Sequence, residues 1–572
     1  LELIARLQVT GESVYSLLGD SPEHRDLAAQ IILDWKGASQ WAERMRRDVN
    51  AVREALPQER RPEFDAFLQK RVMLGLLERA RDTEATKKAT LEEEIAREFA
   101  SLLAHPALRE FTLDLPPSVA DVCERVNRSE RTLVIFGDID KTVYDESTPL
   151  KYVIRAEYDA IVFAPGKCSP LRVPLGQAKA LDKEIDAWRV TVEKSEACYQ
   201  KRGSASKCLK AFARQHQAGA TLYQKLWEPI EARVKTNSVW LTTEGRLDEV
   251  AFDTLVDKKD RHLLEKRELR SLPYPGAVVH LKESETSTSG ALVLGDLDYD
   301  RVASGEALAA SWQRCDSSGC RDADEVGGST VVASRGGAAC GYDVSWGSLG
   351  ATEAKPVASH LGVVLSGEGS TLVTGDGAGE AQVREAMRGK RVVHLATHGF
   401  FASDPECESF ARQGTDAFGL GAGMASLRVD PLKLSAVVLS GANKEKDGVD
   451  GILTAREVAN TDLSGTELVV LSACETGRGK VHEAGGAQGL GQAFMMAGVE
   501  NTIVSLWRVP SAPTRDLFID FYQRAYGKKA PVHPQVALRE AKLAMLKKSR
   551  AEGVIYSEFL WGAFVAQSLQ SD

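Results

Sequence analysis

The stretch LVVLSACETGRG (468–479) decides the fold that the sequence predicts. Its first six residues are apolar or small, which is typical of a strand buried on both faces, and a charged, Gly-rich segment ends it. Similar runs occupy 371–374, 392–397, 436–440 and 502–507, and helical patterns alternate with them at 380–387, 486–497, 514–526 and 534–547. This alternation predicts a parallel α/β sheet in the last third of the chain.

Two of these predicted strands end in reactive side chains. The run VVHLAT (392–397) leads into His398 and Gly399, and LVVLSA (468–473) leads into Cys474. Because parallel strands present their carboxyl ends at one edge of a sheet, His398 and Cys474 would meet there if the strands are neighbours. An imidazole that takes the thiol proton creates a strong nucleophile. The backbone N–H groups of Gly399 and Cys474 are then candidates for an oxyanion hole.

The same residues also have ordinary explanations. A Cys at the end of an apolar strand is often a small buried hydrophobe, and a His at a strand end is often only hydrogen-bonded. Strand alternation places His394 on the same face as His398, but earlier in the strand, so we interpret it as a packing or supporting residue. Glu475, next to Cys474, has the same interpretation. His482, in a predicted Gly-rich loop just after Cys474, is the main rival base.

The sequence segments around these residues resemble the CHAT family, a family of caspase-like domains often found after tetratricopeptide repeats. The strongest are VVHLATHGFF (392–401), LVVLSACETGRG (468–479), GGAQGLGQAFMMAGVENTIVSLW (485–507) and FLWGAFV (559–565), and weaker ones are VWLTTEGRLDEVAF (239–252), ALVLGDLDYD (291–300) and GILTAREV (451–458). The resemblance covers about 100–572. It implies a caspase-like, parallel-sheet α/β sandwich and carries the catalytic pair onto His398 and Cys474. The implied activity is that of a cysteine endopeptidase, which cleaves a protein substrate through a thioester.

Three regions follow from the residue patterns and the resemblance. Apolar residues at three- and four-residue steps predict an all-α segment over 1–103, similar to the linker after such repeats. Region 104–348 would be a degenerate caspase-like half, with a Gly/Ser-rich insertion at about 301–348. Region 349–572 would be the catalytic half. Within the degenerate half, strands are predicted at 131–137, 160–164, 239–243 and 291–295, and a long helical stretch at 178–230 with a loop at 201–208.

The segment after the last predicted strand departs from the family pattern. In the similar separases an acidic residue of this region lines the pocket for a substrate arginine, whereas SLWRVPSA (505–512) is followed by no acid until Asp516. We therefore expect a small or apolar residue before the scissile bond. An acidic residue that pairs with Arg508 is the alternative. The candidates for the substrate pocket are Ser472, Trp507, Arg508 and Ser511.

Composition limits the other possibilities. A net charge of −9 over 572 residues, with no basic stripe, argues against direct contact with nucleic acid. No apolar run approaches the ~20 residues of a membrane helix. The nine cysteines are odd in number and irregularly spaced, which predicts free thiols and a cytoplasmic protein. Cys315, Cys320 and Cys340 fit no standard zinc spacing, so we expect no metal and no cofactor.

Two other functions remain open. One is a catalytically inactive CHAT scaffold. The other is a magnesium-dependent phosphatase, because VIFGDIDKTV (134–143) looks like the first motif of the haloacid-dehalogenase type, with Asp138 as nucleophile and Asp140 as acid/base. GDLDYD (295–300) mimics its magnesium motif. For the protease, the resemblance suggests an activating protein or complex bound through the N-terminal helical region, and a role in bacterial defence or regulated cell death.

Overall fold

The structure is a computed structural model of the chain. It describes residues 21–35, 56–63, 97, 117–144, 152–166, 168–284, 288–301, 312–316, 319–322, 353–365, 368–401, 432, 435–444, 451–472, 480–482, 486–508, 510–527 and 531–571. The chain divides into two compact units, Ser39–Pro116 and a larger unit of Leu1–Ala38 with Pro117–Asp572. All elements named below belong to the larger unit. The regions 1–103, 104–348 and 349–572 stay predictions.

The strands of the described residues form one large sheet and two small ones. In chain order they are β1 (Thr132–Tyr144), β2 (Tyr152–Phe163), β3 (Leu171–Gln177), β4 (Ser238–Thr242), β5 (Glu268–Ser271), β6 (Ala291–Leu297), β7 (Trp312–Asp316), β8 (Gly319–Asp322), β9 (Ser370–Gly375), β10 (Val392–Ala396), β11 (Gly399–Phe401), β12 (Ser435–Val438), β13 (Ile452–Thr454), β14 (Leu468–Leu471), β15 (Lys480–His482), β16 (Gly486–Gln488), β17 (Asn501–Ser505) and β18 (Phe564–Ser568). The large sheet has the order β3-β2-β1-β4-β5-β18-β17-β14-β10-β6-β9-β7-β8. The small sheets are β11-β12-β13 and β15-β16.

Helices cover both faces of the large sheet. They are α1 (Pro22–Trp35), α2 (Val119–Ser129), α3 (Ala178–Arg202), α4 (Leu209–Leu226), α5 (Glu228–Glu231), α6 (Leu263–Lys266), α7 (Ala354–Val364), α8 (Glu380–Met387), α9 (Ala455–Ala459), α10 (Leu490–Met496), α11 (Ser511–Tyr526), α12 (Pro534–Ala551) and α13 (Glu558–Trp561). Short 3₁₀ turns occupy Ala205–Lys207, Gly245–Glu249, Phe252–Thr254 and Pro275–Val278. None of the helices in the described ranges has the length and apolarity that crossing a membrane would take.

The predicted α/β class is confirmed, and the centre of the sheet is parallel. Strands β17, β14, β10, β6 and β9 pair in parallel in that order. Antiparallel pairs lie toward the two edges and where β18 inserts beside β17. The sheet is therefore mostly but not wholly parallel. The long helical stretch also forms as predicted, because α3 and α4 flank the polar loop that begins near residue 203.

Alternate residues of the central strands face two separate hydrophobic clusters. Val392, Leu468 and Ile503 face a cluster that includes α7 and α11. Val393 and Val469 face the opposite cluster, which includes α8, α9 and α10. Strands β10, β14 and β17 are buried along their whole length, which explains why they read as continuous apolar runs in the sequence.

Local chemistry positions the elements around this core. Thr454 is the N-cap of α9 and accepts a bond from the Glu457 N–H, while the Glu457 carboxylate accepts the Thr454 N–H at 2.9 Å. Such a capping box stabilises a helix start by about 1 kcal/mol. At Gly295 in β6, an added Cβ would lie 2.4 Å from the Ala354 Cβ of α7. Only glycine therefore allows this approach of helix to strand.

Three disulfides among the described residues correct the prediction of free thiols. Cys123 of α2 bonds Cys168, Cys198 of α3 bonds Cys208, and Cys315 of β7 bonds Cys320 of β8. The prediction was wrong because the spacing of cysteines along a chain says little about which of them meet in space. Disulfides persist mainly in oxidising environments, so the expectation of a cytoplasmic protein loses its basis.

Candidate active site

The carboxyl ends of β6, β10, β14 and β17 meet at one edge of the sheet, as the sequence predicted for β10 and β14. These two strands are parallel neighbours, and their register pairs Leu395 with Leu471. His398 follows Leu395 by three residues, and Cys474 follows Leu471 by three residues. Cys474 and Glu475 lie outside the described residues, so their role stays a prediction.

His398 is held between a tyrosine ring and a small sheet. It is buried, with 8% of its surface exposed, and its ring centroid lies 5.2 Å from that of Tyr299, which follows β6. The Tyr299 hydroxyl bonds the Thr397 hydroxyl at 2.9 Å, and the Thr397 hydroxyl donates to the Val438 carbonyl at 2.6 Å. The Val438 N–H donates back to the His398 carbonyl at 2.9 Å. These bonds fix the backbone on both sides of the imidazole.

The hydrogen bond from the Val438 N–H to the His398 carbonyl also determines the direction of the Gly399 N–H. Gly399 is opposite Val437 in the antiparallel pair of β11 and β12. The Val438 N–H, one residue after Val437, donates to the carbonyl of His398, one residue before Gly399. Gly399 and Val437 are therefore a non-hydrogen-bonded pair. In such a pair the N–H groups point away from the partner strand. The Gly399 N–H therefore points away from β12.

His394 lies in a different environment from His398. It is fully buried, and its Nδ1 lies 2.9 Å from the Tyr522 hydroxyl of α11, while its Nε2 lies 3.1 Å from Oε1 of Glu353. Burial and then the charge of Glu353 raise the pKa of Tyr522 well above its ordinary value, so the hydroxyl keeps its proton. A carboxylate only accepts hydrogen bonds, so an Nε2–H of His394 faces Glu353.

The prediction that His394 and His398 share a face does not hold. The His394 ring contacts Phe518 at a centroid distance of 5.0 Å, on the side of α11, whereas Tyr299 beside His398 belongs to the opposite hydrophobic cluster. Strand alternation fails here because β10 ends at Ala396, two residues before His398.

The substrate-pocket candidates lie at the same edge but differ in exposure. Trp507 is buried, follows Val504 by three residues, and donates its indole N–H to the Phe559 carbonyl at 3.0 Å. Arg508 is exposed, and its Nε lies 4.0 Å from Oε1 of Glu196. Ser511 begins α11 and Ser472 follows β14, and both are partly exposed. The assignment of these residues to a pocket stays a prediction.

The rival base His482 lies in a strand rather than in a loop. Its backbone ends β15 and pairs with Gly486 of β16. The segment 483–485 between the two strands lies outside the described residues. The assignment of His398, rather than His482, as the base stays a prediction.

The structure separates the acidic motifs of the phosphatase hypothesis. Asp138 and Asp140 lie inside β1, opposite Tyr158 and Ala156 of β2, rather than at a strand end. GDLDYD belongs to β6 and the turn after it, seven strands further along the sheet, which corresponds to about 34 Å at the usual spacing. The two motifs cannot form one magnesium site, and the phosphatase hypothesis is wrong.

Sequence reasoning missed the roles of Tyr299 and Thr397. Both occur within segments that resemble the CHAT family, at 291–300 and 392–401, so the sequence did mark these two segments. The sequence does not show that the two side chains are in contact, because Tyr299 and His398 are far apart in the chain. Only the parallel pairing of β6 with β10 brings them to one edge.

More than half of the chain matches the sequence model of a known family. The sequence model of the CHAT domain matches residues 216–568, and the chain belongs to the CHAT domain family. No curated protein matches the chain significantly.

Among solved structures, the chain is similar to one chain of a crystal structure of the Saccharomyces cerevisiae separase–securin complex at 2.6 Å resolution. The match has 9% identity and a TM-score of 0.37, and it covers 96% of this chain and 41% of that one. A second crystal structure of the complex, at 3.0 Å, matches with 8% identity and a TM-score of 0.40, covering 96% and 40%. This chain thus spans about two fifths of the length of those chains.

Proposed function

We propose that this CHAT protein is a cysteine endopeptidase with Cys474 as nucleophile and His398 as base. The observation that carries the proposal is the register of β10 and β14, in which both residues follow the paired Leu395 and Leu471 by the same three residues. Neighbouring strands are about 4.8 Å apart, so Leu395 and Leu471, from which the chain continues to the two residues, lie side by side. Membership of the CHAT family supports the same assignment.

The proposed reaction needs only groups of this edge. His398 takes the thiol proton of Cys474, and the thiolate attacks the scissile carbonyl carbon of a protein substrate. The N–H groups of Gly399 and Cys474 stabilise the oxyanion, and the direction of the Gly399 N–H supports that role. His398 then protonates the leaving amine, and water hydrolyses the thioester.

The base can be tested without knowing the substrate. In wild type, iodoacetamide should alkylate Cys474 rapidly at pH 7, and His398→Gln should slow this alkylation while His482→Gln should not, as followed by peptide mass spectrometry. Slow alkylation in His482→Gln alone would move the role of base to His482.

The activity is tested with a peptide library. Cys474→Ala and His398→Gln should each lower cleavage by at least ~10³-fold with an unchanged fold by circular dichroism. If wild type cleaves nothing, alone or with a cell extract, the alternative of an inactive CHAT scaffold is correct. Cleavage retained by Cys474→Ala would end the dyad assignment.

The same library tests specificity. We propose that the residue before the scissile bond is small or apolar, in a pocket that includes Ser472, Trp507 and Ser511. An acidic residue is less favoured, because Arg508 already lies near Glu196. Dominant cleavage after Arg or Lys would contradict this proposal, and cleavage after Asp or Glu that is lost in Arg508→Gln would support the acidic alternative.

We also propose that a protein or complex activates the peptidase through the N-terminal helical region, in bacterial defence or regulated cell death. The support is the resemblance of that region to the linkers of repeat-containing CHAT proteins. Replacement of residues 39–103 by a flexible linker should abolish stimulation by the activator and leave the basal activity in place, because α1 belongs to the larger unit and is retained. Unchanged stimulation would place the activator elsewhere.

A further inference from the structure

Three buried side chains from distant parts of the chain converge outside the proposed active site. They are His216 of α4, His262 before α6, and Glu558, the first residue of α13. All three are buried, with exposures of 8%, 1% and 1%. One potential ligand atom from each lies within 4.8 Å of the others, which makes the group a candidate metal site.

Both imidazoles are directed at the same carboxylate oxygen. The distance to Oε1 of Glu558 is 2.5 Å from Nδ1 of His216 and 2.8 Å from Nε2 of His262. The other oxygen of Glu558, Oε2, is buried and has no hydrogen-bond partner among the described residues. A buried carboxylate oxygen without a partner is costly, and a cation would satisfy it.

The second nitrogen of each imidazole also faces a carboxylate. Nε2 of His216 lies 2.7 Å from Oδ1 of Asp260, and Nδ1 of His262 lies 3.2 Å from Oε2 of Glu265. Metal-binding histidines usually donate their other ring N–H to a carboxylate in this way, which fixes the ring and strengthens the ligand. The cluster therefore has the outer partners of a metal site as well as the ligands.

The charges fit one divalent cation. Arg550 donates to Glu265 at 2.7 Å and offsets its charge, which leaves the charges of Asp260 and Glu558 to be balanced. A second nitrogen of Arg550, Nη2, lies 3.3 Å from Nδ1 of His262, on the side of that ring away from Glu558. A divalent cation bound between the three side chains would balance these two negative charges.

We propose that His216, His262 and Glu558 bind one divalent transition-metal cation, and that the cation is zinc. Two imidazole nitrogens and a carboxylate oxygen are a ligand set that zinc accepts, with a fourth position for a second carboxylate oxygen or a water. The site joins α4, the start of α6 and α13, and does not depend on the proposed protease chemistry.

Zinc binding is measured on the full chain with its disulfides intact and its free thiols alkylated, so that cysteines do not bind the metal. After dialysis against a chelator, equilibrium dialysis against ZnCl₂ should load one zinc per wild-type chain. His262→Gln should load none, whereas the control His360→Gln, in α7 and outside the cluster, should load one. Cobalt in place of zinc should show visible absorption bands that are lost in His262→Gln.

A substitution at the surface, Asp260→Asn, tests zinc binding without disturbing the buried core. The Asp260 side chain is 64% exposed, so Asp260→Asn should fold normally and weaken zinc binding by about 10–100-fold through the His216 ring. The proposal is overturned if wild type takes up no zinc, in which case the cluster is a metal-free ion-pair network. It is also overturned if His262→Gln and Asp260→Asn bind zinc as tightly as wild type.

Discussion

At the scale of single residues, the proposed base depends on a neighbour that the chemistry itself does not use. The ring of Tyr299 packs on His398, and its hydroxyl bonds Thr397, the residue before that histidine. Tyr299 is therefore a positioning residue. It acts on the orientation of the imidazole rather than on the substrate.

Substitution of Tyr299 separates these two contacts. Tyr299→Phe keeps the ring and should change turnover only slightly, whereas Tyr299→Ala should lower kcat by up to about 100-fold, because a misplacement of about 1 Å can cost that much. The rate of Cys474 alkylation should fall in parallel. Equal effects of the two substitutions would show that the hydroxyl, not the ring, positions His398.

A second substitution tests whether His394 is structural. His394→Ala removes the partner of the buried Tyr522 hydroxyl and of Glu353, so it should lower the free energy of unfolding by about 2–4 kcal/mol. Thermal denaturation measures the loss of stability. Turnover of the folded protein, normalised by active-site titration, should stay near the wild-type value. A loss of kcat in fully folded protein would instead give His394 a direct part in the reaction.

At the scale of elements, two of the disulfides close loops of different length. Cys198–Cys208 closes the turn between α3 and α4 with a separation of 10 residues, and Cys123–Cys168 connects α2 to the segment after β2 with a separation of 45. In the chain-entropy account, the longer loop stabilises more.

Removing each bond should therefore lower stability by different amounts. We expect about 3 kcal/mol for Cys198→Ala with Cys208→Ala and about 4 kcal/mol for Cys123→Ala with Cys168→Ala, from urea denaturation. Mass spectrometry of the non-reduced wild type after alkylation should find all three bonds. Fully alkylated cysteines at these six positions would contradict the structure.

The residue that caps the start of helix α12 is a histidine with a lowered pKa. Nδ1 of His533 accepts the Gln535 N–H at 3.2 Å as the N-cap. Burial and then the nearby charge of Arg270 lower the pKa of His533 to about 3, below the ordinary 6.5. Its contribution to stability is complete above pH 6.5. It is lost as the pH falls from there toward 3, because the unfolded chain binds the proton more readily.

The chain should therefore lose about 1 kcal/mol of stability per pH unit below pH 6 through His533 alone. His533→Asn keeps an oxygen that can cap α12 and removes the titration, so its thermal midpoint should depend less on pH between 6 and 4. His24→Asn, at an exposed position of α1, is the control. An identical pH dependence of His533→Asn and wild type would contradict this prediction.

At the scale of the whole molecule, the last strand joins the two parts of the large sheet. β18 pairs antiparallel with β17 along its length, and it pairs in parallel with β5 through Gln567 and Ser271. The N-terminal strands β1 to β5 thus meet the proposed catalytic strands only across β18 in the described sheet order.

Deletion of residues 564–572 should therefore expose the edges of β5 and β17. Two unpaired strand edges favour aggregation, so the truncated chain should elute as larger species in size-exclusion chromatography and lose its single cooperative unfolding transition. Val565→Thr, which keeps the strand, is the control. A monomeric, cooperatively unfolding truncated chain would show that β18 is dispensable.

Much of the fold could be predicted from the sequence because its signals are local. The strands β10, β14 and β17 were predicted because burial on both faces makes each a short apolar run. Helix α8 was predicted with the bounds it has, because its apolar positions repeat with the period of a helix. The antiparallel strand β18 (FVAQS) is missed because only its two end residues are buried, so it shows neither a continuous apolar run nor an alternation of apolar and polar residues.

The sequence by itself determined the α/β class, the family and the candidate pair His398 and Cys474, because residues close together in the chain carry those signals. Only the tertiary structure decided which distant residues meet. It paired Leu395 with Leu471, placed Tyr299 on His398, and joined six cysteines. It also brought His216 and His262 to Glu558, about 300 residues away, and such contacts depend on the packing of whole elements rather than on local periodicity.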